Sequence, residues 1–167
     1  MKTVSHIIFI VFVSFALMQC SSVPKLEANA PFNVTEIYSQ NWIAGIKGGG
    51  SGTNLFVTIS DREENVVIDS VFFRGKVTKF ETNSGENSYV GRFSTSINKK
   101  QDIILSDAPN AEFGNEAPKI SKPIPFDLKN SECIISYKEN NTTRYFKISA
   151  IKEKPMLSYP SAPPNEQ

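Results

Sequence analysis

Two thiols and a scatter of carboxylates are the groups in this chain able to do covalent or acid–base chemistry. The cysteines are Cys20 and Cys133, and the one histidine is His6. A thiol reacts as its thiolate, which needs a cationic or imidazole neighbour. Cys133 lies in Glu132-Cys133-Ile134-Ile135-Ser136-Tyr137, a strand-like run, and reads as a small buried hydrophobe. His6 falls in a leader that processing removes. Without it the chain lacks Ser-His-Asp and Cys-His activation, His-ligated zinc and imidazole relays. Carboxylate pairs remain: Asp102, Asp107, Glu112, Glu116 and Asp127 are the candidates for a glycan-acting site, which needs two carboxyl groups about 5 to 9.5 Å apart. Asp107, Asn110, Glu112, Asn115 and Glu116 also offer oxygen ligands for calcium, but their spacing fits no EF-hand loop and such residues are ordinary turn formers. No catalytic residue, metal ligand or cofactor is assigned.

The position of Cys20 gives it a different chemistry. Lys2 precedes an apolar run from Ile7 to Met18, broken only by Ser14, and Gln19-Cys20-Ser21-Ser22 ends it. This is the layout of an export signal. As a helix the run spans roughly 18 Å, short of the roughly 30 Å of a hydrocarbon core, so cleavage is expected rather than a permanent span. Leu17-Met18-Gln19-Cys20 resembles a bacterial lipobox, with Leu three positions before the Cys and Gln19 departing from the usual Gly or Ala. The alternative Ala28-Asn29-Ala30 lies well past the apolar core and precedes Pro31. The resemblance implies that Cys20 becomes the mature N-terminus, carrying a diacylglycerol thioether and an N-acyl chain. Several acyl chains on one residue hold a protein on a bilayer where a single chain does so only marginally. Cys133 then has no intramolecular disulfide partner. A secreted protein without lipid is the alternative; Asn33-Val34-Thr35 and Asn140-Asn141-Thr142 fit the N-glycan acceptor pattern.

Cleavage before Cys20 leaves 148 residues (167 − 19), enough for one domain with a real core. Lys2 leaves with the leader, so 17 basic (18 − 1) and 17 acidic side chains remain and the formal charge is near zero. No basic run exceeds Lys99-Lys100, which excludes the electrostatic footprint of a nucleic-acid binder.

The expected organisation is a signal peptide over 1–19, a lipid anchor and linker over 20–31, a β domain over 32–154 and a Pro-rich disordered tail over 155–167. Phe32, Val34 and Tyr38 suggest one strand and Trp42, Ala44 and Ile46 another, with a kink between them. Gly48-Gly49-Gly50-Ser51-Gly52 follows, and then the β-branched, period-two run Thr53 to Ile59. A P-loop needs Lys-Ser/Thr after its last Gly and a dinucleotide fingerprint needs a helix, so both fail and a hairpin connection is expected. Only an anion nest of backbone N–H groups survives as a functional alternative. Asp61 to Asn65 is a charged turn, and Val66 to Phe80 is a long β segment expected to bend or bulge at Gly75. Tyr89 to Thr95 and Asp102 to Ser106 are shorter strands, Asp107 to Pro125 is a long irregular loop, and Phe126 to Leu128 opens the last sheet region. Cys133 to Tyr137 and Tyr145 to Ile151 around Asn140-Asn141 form the clearest hairpin. About eight short strands predict an all-β antiparallel sandwich or small barrel.

Asn41-Trp42-Ile43-Ala44-Gly45-Ile46-Lys47 with the glycine run, Phe113-Gly114-Asn115-Glu116-Ala117-Pro118 and Lys152-Glu153-Lys154 resemble a group of small uncharacterised bacterial lipoproteins of the Gram-negative envelope. That resemblance implies a lipid-anchored envelope protein and no particular activity. Ser21 after the lipidated Cys20 implies sorting to the outer membrane. The expectation is therefore a non-catalytic binding or accessory module, held on the membrane through acylated Cys20, with an envelope protein or a glycan as partner.

Overall fold

The computed structural model describes residues 24–83, 87–99, 110 and 123–161. Within them the chain is all-β, with nine strands: β1 (Leu26–Glu27), β2 (Asn33–Ala44), β3 (Ser51–Ser60), β4 (Val66–Phe73), β5 (Lys76–Thr82), β6 (Ser88–Ser94), β7 (Cys133–Glu139), β8 (Thr142–Ile148) and β9 (Lys152–Tyr159). The expected signal peptide, Cys20, the strand over 102–106 and most of the loop over 107–125 lie outside the described residues.

One sheet contains all nine strands, in the order β1-β8-β7-β4-β5-β6-β3-β2-β9. β5 joins its two halves. Lys76 to Lys79 pair with Phe73 to Ser70 of β4, while Phe80 to Thr82 pair with Gly91 to Tyr89 of β6. The sheet folds back on itself about this strand, so that Leu55, Val57, Ile59 and Phe93 from one half share a single core with Val66, Val71, Phe73, Cys133, Ile135 and Tyr137 from the other. Close approach of the halves depends on Gly91, because a Cβ there would lie 2.5 Å from Val71 Cγ1. The edges β1 and β9 do not pair with each other, and the sheet is open.

Local sequence explains the elements. In β3 the apolar residues Leu55, Val57 and Ile59 are buried and alternate with the half-exposed Phe56 and Thr58, the pattern of a strand with one face in the core. The β4–β5 and β7–β8 hairpins turn on two residues each, both with positive φ: Arg74 and Gly75 (47° and 76°), and Asn140 and Asn141 (47° and 67°). Such mirror-image turns match the twist of the strands they join and favour Gly and Asn.

Several expectations are corrected. Residues 32–46 hold one continuous strand, β2, with register shifts between Val34 and Glu36 against β3 and between Gln40 and Trp42 against β9. Gly75 is neither bend nor bulge but half of a hairpin turn. The sheet is mixed rather than purely antiparallel, since β1 pairs β8 and β2 pairs β9 in parallel. Both parallel strands come from segments expected to lie outside the domain: β1 from the linker over 20–31, and Pro155 to Tyr159 from the tail over 155–167. Pro155 is tolerated because β9 is an edge strand and needs no outward hydrogen bond. Phe126 to Leu128 is not a strand; Phe126 packs on Phe72 and Tyr145 with ring centroids 4.9 and 5.3 Å apart, covering the outer face of β4 and β8.

Candidate functional site

The strongest candidate is a cleft of about 410 Å³ at one open end of the folded sheet. Strand register creates it. On the face of β2 and β3 turned to the core, the opposed pairs run Ile37–Val57, Ser39–Leu55, Asn41–Thr53 and Ile43–Ser51. Leu55 and Val57 are fully buried, but beyond them Asn41, Thr53 and Ser51 are small or polar, and a space opens between the halves. Asn41, Ile43, Ser51 and Thr53 form one wall, and Phe93 and Thr95 continue it. Phe73, Arg74 and Lys76 from the β4–β5 hairpin form the opposite wall. Ile97 and Met156 flank the mouth, at 64 % and 60 % exposure, more than large apolar side chains usually show.

Its polar groups are already engaged with one another. Thr53 Oγ1 donates to Asn41 Oδ1 (2.6 Å), Asn41 Nδ2 donates to Glu153 Oε1 (2.5 Å), and Arg74 Nη2 donates to Glu153 Oε2 (2.9 Å). The Arg74 guanidinium also lies 4.8 Å from the Phe73 ring centroid. Ser51 Oγ donates to Ile97 O (2.6 Å) and meets Thr95 Oγ1 at 2.5 Å, so its proton is committed to a backbone carbonyl. Lys76 Nζ donates to the Ser94 carbonyl at 2.5 Å. Trp42, the single tryptophan, borders the cleft; its indole covers Gly52, where a Cβ would lie 2.7 Å from Nε1.

Of the residues singled out in the sequence, only Asp127, Cys133 and some of the turn residues fall among the described ones. Cys20, Asp102, Asp107, Glu112 and Glu116 lie outside the described residues. Asp127 is exposed on the 123–132 connection and lines no described cleft. Among the described residues no group of three or more His, Cys, Asp or Glu side chains gathers as a metal site. Cys133 is fully buried in the core, and burial pushes its thiol up to about 12. Asn33 of the first glycan acceptor pattern is exposed, with Nδ2 donating to Asp61 Oδ2 at 2.9 Å; that bond and the Ser60 hydroxyl hold the Asp61 carboxyl below its usual value.

The glycine loop is spoken for. Asn98 Nδ2 donates to the carbonyls of Ala44 (2.8 Å), Ile46 (3.0 Å) and Gly50 (3.3 Å), and Asn98 Oδ1 accepts from Gly48 N (3.0 Å). Gly49 N donates to Ile46 O and Gly50 N to Asn98 O. The amides of Gly48, Gly49 and Gly50 are thus bonded inside the protein, which argues against an anion nest built from them.

Trp42, Phe73 and Phe93 border the cleft, and no motif in the sequence marks it. One signal was present: polar or small Asn41, Ser51 and Thr53 share the inward parity of apolar neighbours. No protein-family model, curated protein or solved structure matches the chain.

Proposed function

We propose that this protein is a lipid-anchored module of the bacterial outer membrane that acts by binding a small ligand in the end cleft rather than by catalysis. The observation that carries the binding half is the cleft itself: an apolar-walled space of about 410 Å³ with a few convergent polar groups, the usual make-up of a ligand site. Glu153, beside the cleft, is held by Arg74 and Asn41, and the Ser51 hydroxyl in the wall is tied to Ile97 and Thr95. The anchor half rests on Leu17-Met18-Gln19-Cys20 at the end of an export signal.

Each half has its own test. Mass spectrometry of the mature N-terminus is expected to give an acylated Cys20, and Cys20→Ser is expected to give an uncleaved or released product; an unmodified Cys20 on a soluble mature chain would end the anchor reading. Native mass spectrometry of the membrane-extracted protein is expected to find a small molecule bound at one per chain, lost in Ile43→Trp, which fills the cleft. Retention of that molecule by a folded Ile43→Trp variant would place binding elsewhere.

A further inference from the structure

We propose that the cleft selects an amphiphile with an apolar body and a carboxylate end, with the carboxylate held by Lys76; this rests on the binding reading above. The apolar half of the requirement comes from the walls. Ile43, Phe73 and Phe93 line the interior, and Ile97 and Met156 leave large apolar surface exposed at the mouth, which an apolar body would take out of water.

The charged half comes from counting partners at the rim. Among the described residues two cations line the cleft, Arg74 and Lys76, and one carboxylate, Glu153 of β9, bonds to the lining residues Arg74 and Asn41. Glu153 uses both oxygens, one on Arg74 and one on Asn41. Lys76 bonds only to a neutral acceptor, the Ser94 carbonyl, and has no carboxylate partner among the described residues. An ammonium has three donors, so two N–H groups of Lys76 remain for the two oxygens of a carboxylate. A cationic ligand would meet Arg74 and Lys76 with no unengaged carboxylate to receive it. A neutral one would leave the surplus positive charge unanswered.

Trp42 reports on occupancy, because it is the single tryptophan and borders the cleft. The full chain is reconstituted in zwitterionic phospholipid nanodiscs and titrated with octanoate, octanol and octylamine, each corrected against protein-free discs. Octanoate is expected to give a saturable change in Trp42 emission at about tenfold lower concentration than octanol, with octylamine weaker than both. Lys76→Ala is expected to bring octanoate to the level of octanol measured in the same variant, while Lys76→Arg keeps the preference. Lys76 is exposed, and circular dichroism identifies any variant that fails to fold. Equal binding of all three probes overturns this proposal and leaves the binding reading standing, as does an octanoate preference that survives Lys76→Ala in the folded protein. Binding of none of the three overturns both.

Discussion

Asn98 accepts a hydrogen bond from the backbone of Gly48 at 3.0 Å, across fifty residues of sequence, and so ties the turn after β6 to the loop between β2 and β3. The same carboxamide donates to three carbonyls of that loop, with φ of 53° at Asn98 itself, a conformation that Asn tolerates better than most residues. Asn98→Ala removes every side-chain bond and places a Cβ-bearing residue without local support in the left-handed region. We expect a loss of about 2–4 kcal/mol in urea unfolding, and a loss at least as large in Asn98→Asp, which keeps the acceptor but sets a carboxylate oxygen against three carbonyl oxygens.

Gly91 and Val71 set the spacing between the halves of the sheet. Gly91→Ala drives a methyl to 2.5 Å from Val71 Cγ1 and to 3.3 Å from Thr78 Cγ2. The expected cost is about 1–3 kcal/mol, the range for overpacking a filled core. Val71→Ala costs stability alone, yet combined with Gly91→Ala it should recover part of the loss. A double-mutant cycle showing simple additivity would mean that the two sites do not press on each other. Gly75→Ala is the control for backbone strain without collision, since nothing lies within 4 Å of a Cβ there.

Cys133 should be inert while the protein is folded. Iodoacetamide at pH 8 is expected to leave it unlabelled in native buffer and to label it fully in denaturant. Its thiol ionises near 12 when folded and at roughly 8.5 when unfolded. Between those values the folded state holds the proton and the unfolded state has released it. The contribution is therefore whole below about pH 8.5 and is lost as pH rises, by at most about 1.4 kcal/mol per pH unit. Burial raises Tyr137 in the same direction, so the Cys133 share is read as the difference between wild type and Cys133→Ala at pH 8 and pH 10.

Ending the chain after Ile151 should harm the domain, although a Pro-rich tail invites truncation. β9 covers the edge of β2, and Gln40 Nε2 donates to Pro155 O, Glu153 bonds Arg74 and Asn41, and Trp42 packs against Tyr159 with ring centroids 6.2 Å apart. Its loss bares the edge of β2 from Tyr38 to Ala44, a template for pairing with other chains. Light scattering is expected to show aggregation, and thermal melting a lower midpoint.

Glu153→Gln keeps a hydrogen-bonding side chain but removes the charge facing Arg74. Stability should change by less than about 1 kcal/mol, because the pair is partly exposed. With Arg74 released beside Lys76, octanoate affinity is expected to rise several-fold while octanol affinity stays put. A fall in both would assign Glu153 a role in shaping the cleft instead.

Strand identity was largely legible because β3 alternates from Leu55 to Ser60, Cys133 to Tyr137 is a short buried run, and Asn140-Asn141 announces its own turn. Reading failed where one cue had two outcomes. Gly75 inside a long β run signals a bulge or a hairpin equally well, and the positive φ of Arg74 decides it. Leu26–Glu27 and Lys152–Tyr159 join the sheet by parallel pairing with strands far along the chain, which short-range patterns do not encode. The cleft was hidden for a related reason. Asn41 and Thr53 are adjacent only through the β2–β3 register, and Arg74 and Lys76 reach them only because the sheet folds over at β5.

β1 brings one last consequence for the proposed anchor. Because Leu26 is already fastened to Tyr145, the leash from Cys20 is six residues (26 − 20) rather than a long floppy linker. Even drawn taut it reaches only about 20 Å, at roughly 3.5 Å per residue. A domain so closely moored would ride low on the lipid head groups with its β1–β8 margin downward, meeting what lies in or beside the bilayer rather than sampling the fluid beyond.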